Sequence, residues 1–78
     1  MNIELISEIQ KQTILALAEC NLRKADVARA RGYSYGAIEG HIRNVRGLTG
    51  LDPMNFYDLH ELVRLLKERE NDGQETKP

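Results

Sequence analysis

Apolar residues recur along this chain three and four positions apart, in four separate stretches. The first stripe is Ile14, Leu17 and Ala18, and the second is Val27 and Ala28. The third is Ile38, Ile42 and Val45, and the fourth is Phe56, Leu59, Leu62, Val63 and Leu66. No run alternates apolar and polar residues as a half-buried strand would. The pattern predicts an all-α, small four-helix domain, with helices over about residues 7–20, 24–31, 35–47 and 56–69.

The residues between the stripes agree with these limits. Ser7 with Gln10 makes a capping-box pattern, and Ile6 stands where a hydrophobic staple would. The apolar residues Ile3, Leu5 and Ile6 fit equally well a backward extension of the first helix. Asp26 in the first turn of the second helix suits the helix dipole. Gly32 ends that helix, Ser34 is a good N-cap for the third, and Arg31 takes a place where an apolar residue would complete the core face. Leu48 to Pro53 interrupts the helical pattern, and Asp52 or Asn55 is placed to cap the fourth helix. Residues 1–70 then make one domain, and the polar residues 71–78 are expected to be a disordered tail.

The second and third helices are joined by a short turn containing glycine, as in a helix-turn-helix. Ala28 lets two helix backbones cross closely, and Ile38 anchors the third helix to the second. The outer face of the third helix is unusual. At about 100° per residue, Gly36, Gly40, Arg43 and Gly47 gather opposite the apolar stripe, with Glu39 and Arg46 on one flank and Asn44 on the other. A helix-interior glycine costs roughly 1 kcal/mol against alanine, and solvent exposure gives no reason to accept that. Close approach of another macromolecule gives one. The competing account is that Gly36 belongs to the first turn and Gly47 to the C-cap, leaving only Gly40 to explain.

Charge sharpens this picture. The 78-residue chain carries a net charge of −1, which is unlike a nucleic-acid binder. Yet residues 22–50 sum to +4, residues 1–21 to −2 and residues 51–78 to −3. A polyanion would meet the middle of the chain. Arg23, Lys24, Arg29 and Arg46 suit phosphates, which position a protein without reading sequence. Arg43 suits a guanine edge, and Glu39 a cytosine amino group.

Little else carries chemistry. Cys20 is alone and reads as a half-buried packing residue. His41 and His60 have no partner at metal or catalytic spacing. No catalytic group, metal or cofactor is expected, and no apolar stretch reaches the length of a membrane span. The expected compartment is the cytoplasm.

The run Asn21-Leu22-Arg23-Lys24-Ala25-Asp26-Val27-Ala28, followed by Gly32, resembles the opening of the helix-turn-helix in LuxR/NarL-type (GerE-like) regulators. Ser34-Tyr35-Gly36-Ala37-Ile38-Glu39-Gly40-His41-Ile42-Arg43-Asn44-Val45 is similar to that family's recognition helix. The likeness covers about residues 14–66. It departs at Ala37, where the family has Thr, at Arg31, where it has Leu, and in lacking a Thr-x-Arg-Glu opening. The Leu48-Thr49-Gly50-Leu51-Asp52-Pro53 stretch resembles instead the C-terminal helix-turn-helix of PucR-type regulators.

The resemblance implies a transcriptional regulator that puts helix 35–47 into the major groove of double-stranded DNA and pairs two subunits through the fourth helix. Glu39, Gly40 and Arg43 would then read bases, joined by Gly36 from the helical wheel. Ser34, Tyr35 and Asn44 would lie near phosphates with the basic residues above. The homodimer surface is assigned to Leu62, Leu65 and Arg69. The alternative is a protein-interaction module that uses the same fold to bind another regulator or a polymerase.

Overall fold

The computed structural model describes residues 2–75, with side chains described to residue 70. Among these residues there are four α-helices and no strand: α1 is Glu8–Glu19, α2 Lys24–Arg31, α3 Tyr35–Thr49 and α4 Phe56–Glu75. A short 3-10 turn over Ile3–Leu5 precedes them. No helix among the described residues is long and apolar enough to cross a membrane.

Local chemistry sets the helix ends. The Ser7 hydroxyl accepts from the Gln10 N–H at 3.2 Å, and the Gln10 side chain accepts from the Ser7 N–H at 3.0 Å, which closes the capping box. Ile6 and Ser7 are both extended, so α1 cannot run back into residues 2–6. That segment forms a separate strap. At the other end Asn21 and Leu22 adopt positive φ, and the Leu22 N–H returns to the Leu17 carbonyl at 2.9 Å. Gly32 closes α2 at φ 74°, a left-handed conformation that favours glycine.

Ser34 caps α3 by accepting from the Ala37 N–H at 3.1 Å. The third helix runs past Gly47, because the left-handed cap residue is Gly50 at φ 76°. Asn55 caps α4, accepting from the Asp58 N–H at 3.0 Å, while Asp52 makes its own turn by accepting from the Met54 N–H at 3.0 Å. The fourth helix continues to Glu75 rather than stopping near Arg69. Residues 76–78 of the expected tail, and Met1, lie outside the described residues.

α1 is the hub. It packs on α2, α3 and α4, α2 packs on α3, and the strap touches α3 and α4. No Cα of α3 lies within 8 Å of one of α4 among the described residues. The core is Ile14 and Leu17 of α1, Val27 and Ala28 of α2, Ile38, Ile42 and Val45 of α3, and Leu59, Leu62 and Leu66 of α4, closed by Ile6 of the strap. Arg31 is exposed and outside this cluster; Leu22 and Tyr33 border it.

Two polar contacts lock α4 in place. Lys11 is 7% exposed, and its ammonium pairs with Glu70 of α4 and lies 3.8 Å from Glu8. The Arg69 guanidinium donates to the Ile3 and Ile6 carbonyls at 3.0 and 3.1 Å. Arg69 is therefore engaged with the strap inside the subunit. Arg69→Ala leaves both carbonyls without that donor and is expected to cost about 1–3 kcal/mol. A urea titration checks this; an unchanged midpoint would show that water replaces the arginine without loss.

Candidate nucleic-acid interface

The α2–turn–α3 unit has a three-residue connection, Gly32 to Ser34. Its outer surface carries most of the residues expected to meet a partner. Gly36, Glu39, Arg43, Asn44 and Arg46 of α3 are exposed, as are Ser34, Tyr35, Arg23 and Arg29; Lys24 and Gly40 are half-buried.

The glycine edge keeps its significance. Gly40 and Gly47 both lie inside α3, so Gly47 is not the cap that would have explained it away. A Cβ built on Gly36, Gly40 or Gly47 meets nothing within 4 Å. No neighbour within the subunit requires these positions to be small.

Beside that edge lies a concavity of about 220 Å³ lined by Lys24, Glu39, Ile42, Arg43, Arg46 and Met54. The fold brings its parts from three places: the first turn of α2, one flank of α3 and the loop before α4. Sequence reading missed Met54, whose only signal is its place next to Pro53. Lys24 and Glu39 meet here, Nζ to Oε2 at 3.1 Å, and the ammonium sits 5.2 Å from the centre of the Tyr35 ring. Tyr35 first, and then Glu39, holds the Lys24 ammonium above its ordinary pKa, so it stays charged at neutral pH.

The other charges divide into two groups. Asp26 pairs with Arg29 and lies 3.8 Å from Arg23, which mutes the basic face of α2. Arg46 is 4.0 Å from Asp52. Arg43, like the exposed Arg31 of α2, has no carboxylate within 4.0 Å among the described residues, and it is the arginine of the concavity without such a partner. Asn44 is on the far flank of α3 and does not join the concavity. The Ser34 hydroxyl is occupied as an acceptor by its cap bond.

His41 faces inward. Its Nδ1 is 2.8 Å from the Thr13 hydroxyl of α1, and its ring meets Tyr33 edge-on. Cys20 is half-buried at the end of α1.

The residues expected at a subunit contact have unequal surroundings. Leu62 is 0% exposed and belongs to the core, and Arg69 is committed to the strap. Leu65 is half-buried. The exposed apolar surface of α4 lies elsewhere: Phe56 is 67% and Tyr57 83% exposed. Phe56 borders an apolar groove of about 310 Å³ with Ala18, Asn21, Leu59, His60 and Val63. Leu65 is nine residues from Phe56, about 180° round the helix, so it sits on the opposite flank.

No protein-family model, no curated protein and no solved structure matches this chain.

Proposed function

We propose that the chain is a sequence-specific DNA-binding transcriptional regulator that presents the outer face of α3 to the major groove of duplex DNA. The observation that carries this reading is the glycine edge of α3 with Arg43 beside it. Three glycines have open space around them, and a helix that must lie close to a groove floor has use for that. The excess positive charge of residues 22–50 and the resemblance to LuxR/NarL-type helix-turn-helix segments support it. Arg43 reaches past the glycines to a base edge. Arg23, Arg29 and Arg46 flank it as phosphate contacts.

Selection of duplexes from a random pool, followed by titration at rising salt, tests the proposal. Binding that weakens with salt in a log–log line is expected from phosphate neutralisation. Arg43→Ala is expected to weaken the selected duplex by about 1–3 kcal/mol and to relax preference at one position. A folded sample with no duplex affinity at low salt would sink the DNA reading.

The regulator is proposed to act as a homodimer. The self-contact belongs on the Phe56 flank of α4, where the groove is lined by Ala18, Asn21, Leu59, His60 and Val63 and holds no carboxylate, ammonium or guanidinium to repel an identical copy. Phe56→Glu is expected to shift the protein to monomer in sedimentation. A wild type that is already monomeric at high concentration removes the dimer from the proposal and leaves the DNA contact standing.

The second reading is a module that uses this fold to bind another regulator or a polymerase. The exposed pair Phe56 and Tyr57 favours it, because aromatic anchors are frequent in protein interfaces.

A further inference from the structure

Lys24 does not look like its basic neighbours. The Arg23 and Arg29 side chains are 70% and 75% exposed, whereas that of Lys24 is 25% exposed. Its ammonium is already bound to Glu39 Oε2 at 3.1 Å and lies against the Tyr35 ring. To reach a phosphate it would have to leave both. The Glu39 carboxylate would then face a phosphate without a counter-charge, which like charges oppose. A lysine held in this way is a poor backbone contact.

The same geometry suits another task. Lys24 takes Oε2 of Glu39, and among the described residues Oε1 accepts no hydrogen bond. Glu39 sits on the flank of α3 next to the glycine edge, in a concavity it shares with Arg43 and Arg46. Unaided, a carboxylate there would be drawn toward either arginine or pushed away by phosphates. The ammonium fixes its orientation and cancels its charge.

We infer that Lys24 is a positioning residue that holds Glu39 to accept a hydrogen bond from the exocyclic amino group of a cytosine or adenine in the major groove, and is not itself a phosphate contact. Those two bases present an amino donor there, and guanine O6 and thymine O4 present acceptors that a carboxylate rejects. The inference rests on the DNA reading above and deepens it. It gives the surface two sequence-reading groups of opposite kind: Arg43, which seeks acceptors, and Glu39, which seeks donors.

The test is the base preference of the wild type, Glu39→Gln, Lys24→Met, Lys24→Arg and the Lys24→Met/Glu39→Gln double variant, each selected from one random duplex pool. Glu39→Gln and Lys24→Met are expected to lose roughly five- to tenfold discrimination at the same base pair. The double variant should lose no more than either alone, and Lys24→Arg, which keeps the ion pair, should retain the wild-type preference. Lys24→Met that weakens all sequences alike with the preference intact overturns the inference, and so does a double variant whose losses add. A folded wild type that enriches no sequence overturns the DNA reading itself, and the inference with it. Thermal melts of each variant separate these outcomes from loss of fold.

Discussion

Gly40→Leu is expected to leave the domain folded and to abolish duplex binding. The two halves of this outcome have different causes. Within the subunit the position is open, since a Cβ there meets nothing within 4 Å. Replacing a helix-interior glycine also removes backbone freedom from the unfolded chain, so Gly40→Ala should stabilise the domain by about 0.5–1 kcal/mol. Against a groove floor the same added atoms keep α3 away from the bases. Gly40→Ala should therefore bind more weakly than wild type while melting higher, and Gly40→Leu should bind at background level. Melting curves and duplex titrations on the same samples check the pair of effects. A Gly40→Leu protein that binds with wild-type affinity would show that the glycine edge does not face DNA.

Leu62→Ala is expected to cost about 2–5 kcal/mol, the range for truncating a large buried aliphatic side chain. Domains are stable by roughly 0.05–0.15 kcal/mol per residue, so a chain of 78 residues has little to spare. Leu62 is fully enclosed among the core residues of α4 and α1, and no rearrangement of surface side chains can refill the gap. The loss should be the same at low and high protein concentration, because it arises inside one subunit. A destabilisation that fades on dilution would place Leu62 between subunits instead. Urea unfolding at two concentrations a hundred-fold apart, a ratio of about 100, makes the comparison.

The helices themselves were legible in the chain. Ser7, Gly32, Ser34 and Asn55 mark their ends by local hydrogen bonding or by a positive φ, and local rules act between residues close in sequence. What lay out of reach is contact between distant positions. Arg69 reads as a surface residue in the last turn of an amphipathic helix, and its actual partners are two backbone carbonyls 66 and 63 residues away in sequence. Backbone acceptors leave no trace in a residue pattern. Lys24 and Glu39, fifteen positions apart, were assigned separate tasks because only the packing of α2 on α3 brings them together. The helical wheel placed Glu39, Gly40 and Arg43 on the outside of α3 because that depends on period alone. It was less able to divide the apolar stripe of α4. Phe56 and Leu62 belong to the same stripe, yet one is at the surface and the other in the core, since the stripe is wider than the strip that α1 covers.

Among the described residues the α3 and α4 backbones do not come together, whereas each packs on α1 and on the strap, so α1 sets the spacing between them. In a dimer paired through α4, the separation of the two α3 helices, and so the distance between operator half-sites, is set by how α1 seats on each. The Thr13–His41 bond ties α1 to α3, and Lys11 with Glu70 ties it to α4. In the proposed DNA-bound dimer, substitutions buried along α1 would retune half-site spacing while leaving the α3 surface unchanged.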